Sequence, residues 1–116
     1  MNVEPTGVGD ARRVVLVTRS GYDETNPEHH GLLVRLHARR IGLFCAVGRD
    51  CEVWHDRMDD VCVGAMVDAG DEWHVQTTWH DDESVAEVIE FAREWSFANY
   101  DSGIVDDTAA VEVIEV

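Results

Sequence analysis

Cys45, Cys51, His55 and Cys62 lie within an 18-residue stretch, and three thiols with one imidazole are a donor set that zinc accepts. Their spacing argues against that use: structural zinc sites present cysteines two to four residues apart, whereas five, three and six residues intervene here. Cys45 falls in an apolar run and Cys62 on an apolar periodic stripe, where a free cysteine serves as a small hydrophobe. Zinc is thus suggested by residue type alone, and no cofactor is expected. Cys51 has the polar surroundings a reactive thiol needs, but its neighbours Asp50 and Glu52 oppose a thiolate.

A second set combines arginine with small polar residues. Arg19, Ser20, Gly21 and Tyr22 form one polar tip, Gly48, Arg49 and Asp50 another, and Thr78, His80 and Asp81 a third. Arginine beside glycine and serine can hold a carboxylate or phosphate bidentately against backbone N–H groups. The expected contacts to a small anionic ligand are therefore Arg19, Ser20, Tyr22, Arg49, Thr78 and His80. The competing expectation is that Arg19 and Arg49 pair with loop acids such as Asp23 and Asp50. Without a GxGxxG or Walker loop, a nucleotide is not indicated.

Six residues, roughly 20 Å of strand, separate His74 from His80, too far to share one ion. Both are expected on the wet face of a strand, with Trp73 and Trp79 in the core. Asp59-Asp60, Asp81-Asp82 and Asp106-Asp107 are carboxylate pairs that could exchange protons, but a chain with 24 acids produces such pairs freely. No Ser-His-Asp set can be assigned from spacing, so catalytic residues stay unassigned.

Positioning these groups requires regular elements. Arg12 to Thr18 is a short β-branched run that predicts a strand buried on both faces. Asn26-Pro27-Glu28 predicts a helix start, with a helix from 27 to about 40 closed by a left-handed Gly42. Leu32 to Arg39 also alternates as a half-buried strand would, although the caps favour the helix. Leu43 to Val47 reads as a second buried strand, with Glu52 to His55 as a short hairpin partner. From an N-cap at Asp56, the residues Met58, Val61, Cys62, Ala65 and Ala69 keep helical spacing up to Gly70. Glu72 to His80 alternates as a third strand. Ser84 and Glu87 form a capping box for a helix from about 85 to 98, whose buried stripe is Val85, Val88, Ile89, Ala92, Trp95 and Ser96. A turn at Asp101-Ser102-Gly103 leads to a terminal strand over 109–116.

Alternation of strands and helices predicts an α/β domain over residues 12–116, following a loose leader over 1–11. The expected sheet is mostly parallel, with four to five strands and about three helices. If residues 32–39 were a strand, an α+β fold with an antiparallel sheet would replace it.

Composition bounds the function. The chain has 116 residues, nine basic against 24 acidic, and a net charge of −15; all nine basic residues are arginine. With 45% hydrophobic residues it can bury a core, so disorder is excluded for most of its length. Absent lysine, acid excess and a core of 18 valines against five leucines and four isoleucines together resemble the composition of salt-loving archaeal proteins. The charge disfavours nucleic acid and membrane surfaces. Arg35, Arg39 and Arg40 are expected to pair with acids of the same chain. Neither a membrane span nor an export signal is visible, and the odd cysteine count suits a reducing compartment, so a cytoplasmic location is expected. Four tryptophans exceed what so small a core needs, pointing to a homo-oligomer or a protein partner. The expected function is a small acidic, salt-adapted binding or regulatory module. The alternatives are a small enzyme acting on an anionic metabolite at the strand ends, or a metal-stabilised interaction domain.

Overall fold

The computed structural model describes residues 12–95 and 110–116. The expected leader, the 101–103 turn and Ser96 lie outside these residues. The elements are β1 (Arg13–Thr18), α1 (Pro27–Ala38), β2 (Leu43–Gly48), α2 (Cys51–Ala69), β3 (Gln76–His80), α3 (Val85–Glu94) and β4 (Val111–Glu115). They form one small α/β domain whose four strands, in the order β3-β2-β1-β4, are all parallel.

A parallel sheet must be covered on both faces, and successive residues of a strand point to opposite sides. Val14, Leu16, Phe44 and Ala46 pack under α1 and α2 against Leu33, Leu36, Trp54, Met58 and Cys62. Val15, Val17, Leu43, Cys45 and Val47 pack on the other side against Val88 and Ala92 of α3. All six residues of β1 are buried, as its unbroken β-branched run predicts.

Residues 32–38 are helical, because the start signals outweigh the alternation. Asn26 Oδ1 accepts a hydrogen bond from the Glu28 N–H at 2.9 Å, and Pro27 takes the first helical position. The left-handed residue after α1 is Arg40 (φ +60°), not Gly42. Contacts over-determine that conformation: Arg40 pairs with Asp71 at 2.9 Å, lies 5.8 Å from the Trp73 ring centre, and its carbonyl accepts from Arg12 Nη1 at 2.7 Å. Arg39 meets Glu112 of β4 at 2.7 Å, so two of the three clustered arginines do pair with the chain's own acids.

Glu52 to His55 is the first turn of α2 rather than a hairpin strand, and the helix begins well before Asp56. Gly48 (φ +117°) and Asp50 (φ +56°) reverse the chain within three residues. Cys51, Trp54, Met58 and Cys62 then form the buried stripe. Gly70 (φ +67°) ends α2 as expected, its N–H bonding the Met66 carbonyl. β3 is shorter than the alternation suggests, because Trp73 is held across the end of the sheet. Its Nε1 donates to the Ile41 carbonyl at 2.9 Å, and its own carbonyl accepts from His37 Nε2 at 3.0 Å. The Ser84–Glu87 capping box is present, and α3 ends at Glu94.

At Gly48, the last residue of β2, a Cβ would collide with the Thr18 carbonyl oxygen in a region of φ that side chains rarely adopt. Gly48→Ala is expected to cost at least about 2 kcal/mol, read from the urea midpoint. A midpoint within error of wild type would show that the loop can be rebuilt without strain.

Candidate functional site

Parallel strands bring three of the expected tips to one edge of the sheet. Thr18 Oγ1 donates to the Arg49 carbonyl at 2.6 Å and the Arg49 N–H to the Thr18 carbonyl at 2.8 Å, lacing the loops after β1 and β2 together. Tyr22, His29 and Trp54 form an aromatic cluster with ring centres 4.8–5.6 Å apart, and Trp54 Nε1 donates to the Ser20 carbonyl at 3.3 Å. Ser20 therefore contributes its backbone to a structural anchor. A backbone N–H can only donate, so the 3.0 Å contact from Asp23 makes His29 Nδ1 an acceptor and fixes that tautomer.

Because α1 and α2 cover one face and α3 the other, the connections diverge between β1 and β4, where open α/β sheets leave a ligand crevice. A cleft of roughly 500 Å³ lies there, lined by Asn26, Glu28, His29, Leu32, Arg35, Glu115 and Val116. Arg19 stands at its edge but is held bidentately by Glu115, both contacts at 3.3 Å. Arg19 thus pairs with an acid of β4 rather than with the loop acid Asp23. Arg49 is exposed and makes no side-chain ion pair among the described residues; Asp50 next to it points its carboxylate toward Gly21.

The cysteines are divided by the sheet. Cys45 lies on the α3 side, while Cys51 and Cys62 lie under α2. His55 Nδ1 meets Asp56 at 2.9 Å and its ring lies 4.7 Å from Trp79. Among the described residues, no three His, Cys, Asp or Glu side chains are grouped as metal ligands. Burial pushes the Cys45 thiol up to about 11 and raises Cys62 as well.

A gathering of proton-carrying groups lies at the end of β3. Thr78 Oγ1 is 2.8 Å from His80 Nε2, and His80 Nδ1 is 2.5 Å from Glu83 Oε1. His80 is 8% exposed and its ring packs at 5.1 Å on Phe91 of α3. Trp79, on the opposite side, is 43% exposed. The expectation of a wet His80 and a core Trp79 is therefore reversed. β3 is an edge strand, and Trp79 meets the His55 ring of α2 yet stays largely exposed, while Glu83 and Phe91 close over His80. His74 is exposed as expected. Glu83 was not singled out by sequence reasoning. Its signal was its place three residues after a histidine, hidden in an acidic run that reads as capping.

Residues 4–115 match the family described as Domain of unknown function (DUF7684), and the chain belongs to it. No curated protein and no solved structure matches the chain.

At about pH 8 the three native thiols are expected to resist an aromatic disulfide reagent and to react after unfolding; fast reaction of any of them in the folded protein would remove it from the core. Because the folded state raises the Cys45 thiol from 9.0 to about 11, it holds that proton more tightly than the unfolded chain does. The stability the thiol contributes is complete below pH 9 and is lost as pH rises toward 11, which urea midpoints across that window would register.

Proposed function

We propose that this member of the DUF7684 family is a small acidic, salt-adapted binding or regulatory module of the cytoplasm. It works by associating with a protein surface, in the first instance a second copy of itself. One observation carries the reading: the last two turns of α2 expose a group of apolar side chains. Val63, Met66 and Val67, spaced i, i+3, i+4, are 54%, 49% and 73% exposed. Scattered apolar residues on a surface are ordinary, but a contiguous group on one helix marks a contact. Beside it Val34 of α1, 42% exposed, borders a groove of about 300 Å³ floored by Val61, Gly64 and Ala65 and rimmed by Asp60 and Asp68.

Charge sets the conditions. Two copies at a net −15 each repel in dilute buffer, whereas molar salt shortens the range of that repulsion to roughly 3 Å and strengthens apolar contact. The absence of lysine and the excess of acids support the salt-adapted part of the reading. No described helix is long and apolar enough to cross a membrane.

Light scattering in molar KCl is expected to give twice the chain mass, and Val67→Asp to return the protein to a monomer. The substitution should change stability by no more than about 0.5 kcal/mol, since Val67 touches solvent. A wild-type monomer in molar KCl overturns self-association.

A further inference from the structure

We propose that Thr78, His80 and Glu83 form an acyl-transfer site in which the Thr78 hydroxyl is the nucleophile. This site faces α3, on the other side of the sheet from the apolar surface of α2, and does not depend on that surface being a contact. The protons have a definite order. An ionised Glu83 only accepts, so His80 Nδ1 donates to it; the neutral ring then presents Nε2 as an acceptor, and the hydroxyl 2.8 Å away donates. Carboxylate, imidazole and hydroxyl thus stand in the relation by which a base activates an alcohol. The Phe91 ring and the short bond to Glu83 hold the imidazole in place, and Cys45, paired with Thr78 across the ladder, backs the hydroxyl from the core.

Access and charge define the substrate. Thr78 is half-buried on an edge strand, with Gln76 exposed two residues before it on the same face. α3 packs mainly on β1 and β2 and meets β3 through Phe91 on His80. Asp81, Asp82 and Glu83 repel anions, so the fitting substrate is a neutral or cationic ester, unlike the anionic metabolite expected at the strand tips. Thr78 Oγ1 bonds to the acyl carbon as its proton passes to His80 Nε2. The bond to the alcohol oxygen breaks, and the alcohol leaves with that proton. Water then attacks the acyl-threonine, giving one proton to His80, which returns it to Thr78 Oγ1 as the acid departs. Glu83 is a positioning residue; it fixes the tautomer and touches no substrate.

The test treats the full-length protein with p-nitrophenyl acetate and, separately, with a fluorophosphonate, and maps the modified peptide by mass spectrometry. Modification of Thr78 is expected, absent in Thr78→Val and slowed at least about 100-fold in His80→Gln. Glu83→Gln should slow it too, with partial recovery in Glu83→Asp. An unmodified Thr78 in the wild type, label mapped elsewhere, or a rate unaffected by His80→Gln would each overturn the proposal, the first two without need of any variant.

Discussion

Everything in this fold depends on burying β1 and β2 from both sides. A parallel ladder formed by Val14 to Val17 and Phe44 to Val47 has no face it can leave in water, so helices must cover two sides of the sheet. α1 and α2 take one side because β1, β2 and β3 follow each other outward, and crossovers between parallel strands are right-handed as a rule. The last crossover must then use the other side, so α3 lies there and β4 returns to the open edge of β1. The crevice between β1 and β4, and the exposed outer end of β3, both follow from that single reversal.

Within this frame the charges do local work. The net charge is large, yet the pairs seen are between specific neighbours: Arg39 with Glu112, Arg40 with Asp71, Arg19 with Glu115. Two of the three join an arginine just past β1 or α1 to β4, so the returning strand is tied by ion pairs as well as by the ladder. The partly buried Arg39–Glu112 pair matters most, since exposed pairs such as Arg19–Glu115 contribute little net stability.

Sequence reasoning reached the elements whose signals are local. The β-branched run of β1, the Asn26-Pro27-Glu28 start of α1, the Ser84–Glu87 box and the Gly70 stop are each decided by a few adjacent residues. What it missed was set by tertiary contact. Arg40 adopts a left-handed backbone because Arg12, Asp71 and Trp73 surround it, which nothing near residue 40 in the chain announces. Glu52 to His55 became helix because Trp54 is needed under the sheet. The candidate site divided in the same way. The strand ends place Arg19, Ser20, Tyr22, Arg49 and His80 at the carboxyl end of the sheet, while Thr78 lies within β3 opposite Cys45, and side-chain partners decide their use. Glu115 took Arg19 and Glu83 took His80, and neither acid could be chosen from the many available by spacing alone.

The pairing of Arg13 with Val111 has a consequence for how the molecule is made. Among the described strands β1 is synthesised first, yet the strand that completes its second side is synthesised last, after α1, β2, α2, β3 and α3. Until then β1, buried along its whole length in the finished fold, has one unpaired edge, and α3 has only part of its platform. Closing so long a loop is entropically slow, and a nascent chain with an open valine-rich ladder is exposed to association with its neighbours. The native topology can therefore be completed only after synthesis has reached β4, and the excess of carboxylates along the waiting chain is well suited to keep unfinished copies apart.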